Sequence, residues 1–268
     1  MADNLLRKFV RIYFRLEGLK MKLLGVFNYT VVLTYVGMLF SFAGIHFVFS
    51  DNDKSFILAL LCLMISGIMD MFDGKVASTK KNRTENEKLF GIQIDSMADI
   101  ISYGVFPSLI VYSLALGDVH YPVEHPIQAR IAICICALYL LSALIRLSFF
   151  NVDEMQRQAL TEKSRSEYKG LPVTSVAVVL PAVFICAYFT RTARPPITPC
   201  LVILVLLGML FITPFKMPKP KLIGKSLLLL IGLIEFVLLL LGKAYYVPAK
   251  ENDPSLMFEN SVIMRAED

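Results

Sequence analysis

The chain has 268 residues, of which 56% are hydrophobic, with no tryptophan and a formal net charge of +5, and its mean hydropathy is positive. This composition excludes a disordered chain and an ordinary soluble domain, and it favours a polytopic membrane protein. In such a chain the placement of basic residues indicates orientation in the membrane rather than affinity for nucleic acid.

The two ends of the chain differ from its apolar middle. Within residues 1–25, apolar side chains recur at helical spacing between Leu5 and Leu16, with arginines and lysines interleaved. This pattern predicts an amphipathic helix in the membrane interface, although a basic flank that only holds the N-terminus in the cytoplasm would have the same pattern. Residues 244–268 are polar and contain two prolines, which predicts a poorly ordered tail.

Seven apolar stretches between these ends are each near the length of a membrane-spanning helix. They are residues 26–49, 55–73, 92–116, 130–150, 172–190, 199–215 and 224–243. We therefore predict an all-α fold, a polytopic membrane helical bundle of about six to eight transmembrane helices that forms one domain over residues 26–243.

The basic residues predict the orientation of this bundle. With the N-terminus inside, 19 of the 27 lysines and arginines fall in the inner segments, which are residues 1–24, 75–90, 151–170 and 216–225. Only four lie in the outer loops, namely Lys54, Arg130, Arg191 and Arg194. The positive-inside rule thus predicts a multi-pass protein of the cell membrane whose N-terminus is cytoplasmic.

Four carboxylates lie where the second apolar stretch ends and the third begins. Asp70 and Asp73 are three residues apart and Asp95 and Asp99 are four apart, so each pair projects from one face of a helix. If the two helices are neighbours, the four carboxylates converge. Clustered like charges need compensation, and hard divalent cations such as Mg²⁺ or Mn²⁺ accept oxygen-only ligands. The sequence therefore predicts a metal site at the inner membrane face.

The residues around the carboxylates predict an anionic ligand. Gly74 has no side chain beside Asp73, and Ala77 is small, so a large ligand could lie against the backbone there. Basic side chains crowd the connection that follows: Lys75, Lys80, Lys81, Arg83 and Lys88.

This stretch resembles the signature of the CDP-alcohol phosphotransferases. The matching positions are Asp70, Asp73, Gly74, Ala77, Gly91, Asp95 and Asp99. Ser78 stands where the family has arginine, and the segment between Ala77 and Gly91 is four residues longer than the family pattern. The first departure leaves open whether Lys80, Lys81 or Arg83 contacts the pyrophosphate, and the second predicts a longer surface loop.

Two later stretches resemble the membrane-embedded phosphatidylserine synthase branch of this family. The matching positions are Arg146, Phe150, Asn151, Gly170, Leu171 and Pro172. Arg146 either extends to the membrane interface or faces the bundle interior, where it could meet a carboxylate or phosphate. The alternative for Gly170 and Pro172 is turn geometry alone.

The resemblance implies a reaction, two substrates and a set of site residues. The donor would be CDP-diacylglycerol, the acceptor L-serine, and the products phosphatidylserine and CMP. The four carboxylates would hold Mg²⁺ or Mn²⁺, in a two-metal site, with Asp99 also as the general base. The implied CDP contacts are Asn28, Asp70, Asp73, Gly74, Ala77, Ser78, Lys81, Arg83 and Gly91, and the serine or phosphate contacts are Arg146, Asn151 and Lys169. Members of the family commonly form homodimers through their membrane helices, and membrane lipids are a further implied partner. The alternative for Asn28 is a helix-capping role.

Two alternatives remain at the level of sequence. Within the same family the acceptor could be glycerol 3-phosphate or inositol phosphate, which would need more basic residues near the acceptor. From another class, a cation-coupled transporter would also place carboxylates in membrane helices. The clustering of charge at one membrane face argues against transport, with Glu235 in the last stretch as the exception.

Overall fold

The computed structural model describes residues 25–50, 55–116, 126–160, 167–189, 197–218 and 222–242. Helices account for most of these residues, so the predicted all-α class is confirmed. The predicted interfacial helix before Gly25 and the tail over residues 244–268 lie outside the described ranges.

Within those ranges the chain forms eight α-helices and two short strands. The helices are α1 (Val32–Val48), α2 (Ser55–Ser78), α3 (Glu85–Asp99), α4 (Phe106–Leu116), α5 (Pro126–Leu160), α6 (Val176–Phe189), α7 (Ile197–Ile212) and α8 (Leu222–Gly242). A π-helical turn, Ile100–Val105, joins α3 to α4, and a 3-10 turn, Val173–Ser175, leads into α6. The strands β1 (Glu167–Lys169) and β2 (Lys216–Pro218) pair antiparallel. This pairing joins the α5–α6 connection to the α7–α8 connection, so both lie at the same end of the bundle.

The helices have the length and composition of a membrane protein. Among the described residues, three are long and apolar enough to cross a bilayer: Ser55–Ser78, Glu85–Leu116 and Ile127–Arg157. Four shorter apolar helices accompany them: Val32–Val48, Val173–Ala187, Ile197–Ile212 and Ser226–Leu241. Each predicted apolar stretch therefore overlaps one of these helical segments, while the number that crosses the bilayer stays a prediction.

The packing of α1 shows why these helices associate closely. Its buried face consists mainly of small residues, whereas large aliphatic side chains such as Leu138 and Ile145 of α5 point outward. The buried residues of α1 are Thr34, Gly37, Ser41, Gly44 and Val48. Lipid is as apolar as leucine, so membrane helices gain most from small residues that let backbones approach. The segregation observed here is that of a protein in a lipid environment.

Gly44 is expected to be essential for this packing. A Cβ at Gly44 would lie 2.2 Å from the Phe106 ring and 3.0 Å from Cys62 Cβ. Because Phe106 is fully buried, we expect Gly44→Ala to lower the free energy of unfolding by about 1–3 kcal/mol through overpacking. Thermal unfolding in detergent measures this, with Gly232→Ala on α8 as the control, since a Cβ there meets nothing within 4 Å. Equal melting temperatures for both variants would contradict the expectation.

Helix α2 extends to Ser78 rather than to residue 73, and α3 and α5 also extend beyond their predicted limits. α3 begins at Glu85 rather than at residue 92, because Thr84 and Glu87 form a capping box: Glu87 N donates to Thr84 Oγ1 at 3.2 Å and Thr84 N donates to Glu87 Oε2 at 3.0 Å. α5 continues to Leu160, so Asn151 is helical. The connection between α2 and α3 is consequently confined to residues 79–84.

Candidate active site

A small cavity lies where α1, α2, α3 and the π-helical turn meet. Its volume is about 10 Å³, which is enough for one water molecule or small ion. The lining residues are Leu33, Thr34, Gly37, Met38, Ser66, Asp70, Asp73, Asp95, Ala98, Asp99, Ser102 and Tyr103. All four predicted carboxylates therefore reach one cavity.

Three of the carboxylates converge closely. One oxygen atom each from Asp70, Asp95 and Asp99 can be chosen so that all lie within 4.8 Å of one another. Asp95 Oδ1 is buried and has no hydrogen-bond partner in the described part of the chain. Half-buried carboxylates held this close are costly without a cation, and an oxygen-only donor set suits a hard divalent ion. The cluster therefore fits a metal ion by its chemistry.

Asp73 lies beside this group and is held differently. Its side chain is buried, and Thr34 Oγ1 of α1 donates a hydrogen bond to Asp73 Oδ2 at 3.0 Å. Asp73 is not part of the converging group of three. The contact with Thr34 thus fixes one carboxylate oxygen of Asp73 against α1.

A buried hydroxyl network lies against the cavity, and no sequence motif predicts it. Ser41 Oγ is 2.9 Å from Ser66 Oγ and 2.7 Å from Ser102 Oγ, and Ser66 Oγ is 3.4 Å from Tyr103 OH. Ser102 and Tyr103 belong to the π-helical turn directly after Asp99. The α-helical hydrogen-bond pattern is interrupted in this turn. Tyr139 OH of α5 donates to the Tyr103 carbonyl at 2.6 Å, so a side chain from another helix pairs with a backbone group of the turn.

The remaining signature positions leave one side of α2 open. A Cβ at Gly74 would meet no side chain or neighbouring segment within 4 Å. Ala77 is half-buried, and Ser78 ends the helix with its Oγ donating to the Lys75 carbonyl at 2.7 Å. The structure thus has open surface beside Asp73.

The basic connection places its cations in different surroundings. Lys80 Nζ forms an ion pair with Glu87 Oε1 at 2.6 Å, while Lys81 is exposed. Arg83 is half-buried, and its Nη2 donates to the Glu87 carbonyl at 3.1 Å. A Cβ at Gly91 would lie 2.7 Å from Arg83 Nη2, so the guanidinium occupies the space above this glycine.

Asn28 connects the segment before α1 to the start of α3. Asn28 Nδ2 donates to Glu87 Oε1 at 3.0 Å, and Thr30 N donates to Asn28 Oδ1 at 3.0 Å. The N-cap position of α1 is Val31. Asn28 is therefore not the N-cap residue of α1, and its amide is oriented next to the basic connection.

The predicted acceptor residues lie on α5 and in the connection that follows. Arg146 is buried, so it faces the bundle interior rather than the interface. Its Nε donates to the Leu171 carbonyl at 3.3 Å, and its guanidinium lies 5.4 Å from the centre of the Phe150 ring. Asn151 Oδ1 accepts from Ser96 Oγ at 2.6 Å, beside Asp95. Lys169 is described only through its backbone, which pairs with Lys216.

The turn that presents the Leu171 carbonyl requires glycine at position 170. Gly170 has φ +76°, and a Cβ there would lie 3.0 Å from the Thr213 carbonyl oxygen. Gly170 N donates to the Phe215 carbonyl at 2.7 Å, and Leu171 N donates to the Leu210 carbonyl at 3.3 Å. The predicted turn is therefore fixed by the end of α7, and it holds a backbone acceptor against Arg146.

Apolar helices of membrane-spanning length, together with an oxygen-only carboxylate cluster that suits a divalent cation, are typical of an integral membrane protein with a metal site. The model of the CDP-alcohol phosphatidyltransferase family matches residues 27–240. The chain belongs to this family and is accordingly a transferase.

Curated relatives carry the names of two similar enzymes. The chain is 29% identical over 202 residues to the CDP-diacylglycerol–serine O-phosphatidyltransferase of Helicobacter pylori, an alignment that covers 73% of this chain and 75% of the relative. It is 26% identical over 191 residues to the archaetidylserine synthase of Methanothermobacter thermautotrophicus, with 71% of each chain covered. A third match, 29% identical, is the CDP-diacylglycerol–serine O-phosphatidyltransferase of Bacillus subtilis, over 47% of this chain and 63% of the relative.

Proposed function

We propose that this protein transfers the phosphatidyl group of CDP-diacylglycerol to the hydroxyl of L-serine and forms phosphatidylserine and CMP. The observation that carries the proposal is the convergence of Asp70, Asp95 and Asp99 in a chain of the CDP-alcohol phosphatidyltransferase family. The names of the relatives support serine as the acceptor.

The chemistry is a displacement at phosphorus. The serine oxygen attacks the phosphorus that bears diacylglycerol, the bond from that phosphorus to the bridging oxygen breaks, and CMP leaves with this oxygen. Asp99 takes the proton of the serine hydroxyl as the general base. The four carboxylates Asp70, Asp73, Asp95 and Asp99 would hold two divalent cations, Mg²⁺ or Mn²⁺. Such ions, when bound, would neutralise the charge of the pyrophosphate. The hydroxyl network around Ser41 keeps the cavity wall fixed while the proton moves.

The nucleotide side is assigned to the ends of α2 and α3. The proposed CDP contacts are Asn28, Asp70, Asp73, Gly74, Ala77, Ser78 and Gly91, with Lys81 and Arg83 as sources of positive charge. The open space at Gly74 and the orientation of the Asn28 amide support this assignment. A nucleotide in this position has its pyrophosphate next to the carboxylate cluster.

The acceptor side is assigned to α5 and the α5–α6 connection. Arg146 binds the serine carboxylate through two parallel hydrogen bonds, and Asn151 and Lys169 complete the contacts. The burial of Arg146 supports the assignment, because a buried guanidinium is kept where it can pair with an anion.

The proposed setting is a cell membrane with the active site on the cytoplasmic side. The domain spans residues 26–243 with about six to eight crossings, between an interfacial segment over residues 1–25 and a polar tail over residues 244–268. The acyl chains stay in the bilayer while the headgroup reaches the carboxylates, which explains why a multispan scaffold suits this substrate. Two copies pair through their membrane helices as a homodimer.

The test is CMP release from CDP-diacylglycerol by the detergent-purified protein with Mg²⁺ or Mn²⁺. Serine, glycerol 3-phosphate and inositol phosphate are compared as acceptors. We expect release with serine, and we expect Arg146→Lys to raise the KM for serine about tenfold, the cost of losing a charge-assisted contact, with the KM for CDP-diacylglycerol unchanged. Release only with a phosphorylated acceptor would overturn the serine assignment, and no release with any acceptor would overturn the proposed reaction.

Replacing Gly74 separates ligand binding from stability. Gly74→Ala adds a methyl group to an open helical surface, so we expect the free energy of unfolding to rise by about 0.5–1 kcal/mol through helix propensity. The same methyl group blocks the surface where the nucleotide lies, so the KM for CDP-diacylglycerol should rise. Gly232→Ala is the matched control for propensity alone. An unchanged KM in Gly74→Ala would remove Gly74 from the binding surface.

A further inference from the structure

We propose that Arg83 supplies the guanidinium that binds the donor pyrophosphate, in place of the arginine that the family pattern has at the position of Ser78. This inference rests on the proposed function and assigns one residue within it. It also connects the two departures from the family pattern, which are Ser78 and the four additional residues before Gly91.

Ser78 and the two lysines of the connection are poorer sources of this charge. The side chain of Ser78 is uncharged, and its hydroxyl donates a hydrogen bond to the Lys75 carbonyl of the same helix. Lys80 is neutralised by Glu87, whose Oε1 also accepts from Asn28. Lys81 is exposed, and a solvated ammonium on a flexible side chain gains little from binding an anion.

Arg83 is directed toward the carboxylate cluster by the start of α3. It directly precedes Thr84, the N-cap residue, whose capping box fixes the backbone there. From this point the side chain lies along α3, where its Nη2 bonds the Glu87 carbonyl and occupies the space above Gly91. An arginine at the end of α2 is thus replaced by one at the start of α3, and the additional residues make room for it.

The position above Gly91 brings the charge close to the metal ligands. Gly91, Asp95 and Asp99 follow one another at intervals of four residues, so they lie along one ridge of the helix. Since the helical pitch is about 5.4 Å, the guanidinium lies roughly one turn from Asp95. A pyrophosphate next to the carboxylate cluster would be within reach of a long side chain at this position.

The hydrogen bonds of Arg83 indicate a missing partner. Arg83 Nε is buried and has no hydrogen-bond partner in the described residues. Buried donors are almost always paired, and one without a protein partner points to a ligand, an ion or water. The planar guanidinium matches phosphate oxygens through two parallel hydrogen bonds. The unpaired Arg83 Nε and its location next to the carboxylate cluster therefore both favour a phosphate ligand.

The test compares single charge removals within the same segment. Isothermal titration with CDP and Mn²⁺, together with the KM for CDP-diacylglycerol, is measured for Arg83→Gln, Lys81→Gln and Lys88→Gln, where Lys88 is an exposed residue of α3 outside the proposed site. We expect Arg83→Gln to weaken CDP binding about 10- to 100-fold, the loss of a charge-assisted contact, and Lys88→Gln to leave it unchanged. Thermal unfolding of each variant shows whether the protein remains folded.

Two further variants test position rather than charge. Gly91→Ala places a methyl group where Arg83 Nη2 lies, so it should displace the flexible side chain and weaken CDP binding with little loss of stability. Ser78→Arg in the Arg83→Gln background should restore CDP binding, because it returns the charge to the family position. Three results would overturn the proposal. CDP could bind equally well to Arg83→Gln and Lys88→Gln, or Lys81→Gln could lose more CDP affinity than Arg83→Gln. In the third, Ser78→Arg fails to restore CDP binding in a folded double variant. An error in the proposed reaction is distinguishable from an error in the assignment of Arg83. If the reaction is wrong, the wild type releases no CMP, while the CDP titrations still compare the variants.

Discussion

Asp99→Asn is expected to lower the rate of CMP release by about 10²- to 10⁴-fold, the usual contribution of a general base. Asparagine has the size of aspartate but cannot take the proton of the serine hydroxyl, which is the role proposed for Asp99. Because Asp99 lies in the converging group with Asp70 and Asp95, part of the loss should come from weaker metal binding. Steady-state kinetics at saturating Mn²⁺ separates the two effects, since only the loss of the base persists there.

The control for Asp99→Asn is Glu85→Gln, which removes a carboxylate from the exposed first turn of the same helix. Its rate should stay within about twofold of the wild type, because exposed charges interact weakly with distant groups. If Asp99→Asn retained more than a tenth of the wild-type rate at saturating metal, another group would have to act as the base.

Asp95→Asn is expected to have opposite effects on activity and on stability. The rate should fall about 100-fold or more, because a bound cation contributes several kcal/mol to the stabilisation of transition-state charge. In the presence of a chelator, however, the variant should unfold at a higher temperature than the wild type. The reason is that Asp95 Oδ1 is buried without a partner among other carboxylates, so its removal relieves repulsion.

Thermal unfolding with EDTA and with Mn²⁺ measures both parts of this prediction. Wild-type protein should be stabilised by Mn²⁺ in proportion to its binding, and Asp95→Asn should respond much less. Asp73→Asn is the matched comparison, because Asp73 Oδ2 already accepts a hydrogen bond from Thr34, and its removal should bring less relief in EDTA. If Asp95→Asn were as strongly stabilised by Mn²⁺ as the wild type, Asp95 would not be a metal ligand.

The local features of the site could be read from the sequence. The spacings of Asp70 with Asp73 and of Asp95 with Asp99 place each pair on one helix face, because helical periodicity acts within a single element. The apolar stretches predicted helices for the same reason, and the turn at Gly170 followed from its residue types. The start of α3 was missed by several residues, although Thr84 and Glu87 form a recognisable capping box.

The arrangement of partners between elements was not readable in the same way. Thr34 binds Asp73, Asn28 binds Glu87 and Ser96 binds Asn151 only because different segments pack together. The π-helical turn after Asp99 likewise depends on contacts from α5. Sequence spacing contains no information on which helices become neighbours, and a buried polar group takes the partner that packing provides.

Residue types and their spacing thus suffice to identify a helical membrane protein with two pairs of carboxylates at adjoining helix ends, and the motif identifies the family. Three features depend on helix packing: Asp70, Asp95 and Asp99 form the close group, Arg146 faces the interior, and Arg83 lies above Gly91. The physical reason is that helix formation and amphipathic spacing are local properties, whereas convergence, burial and hydrogen-bond pairing arise only when separate helices pack.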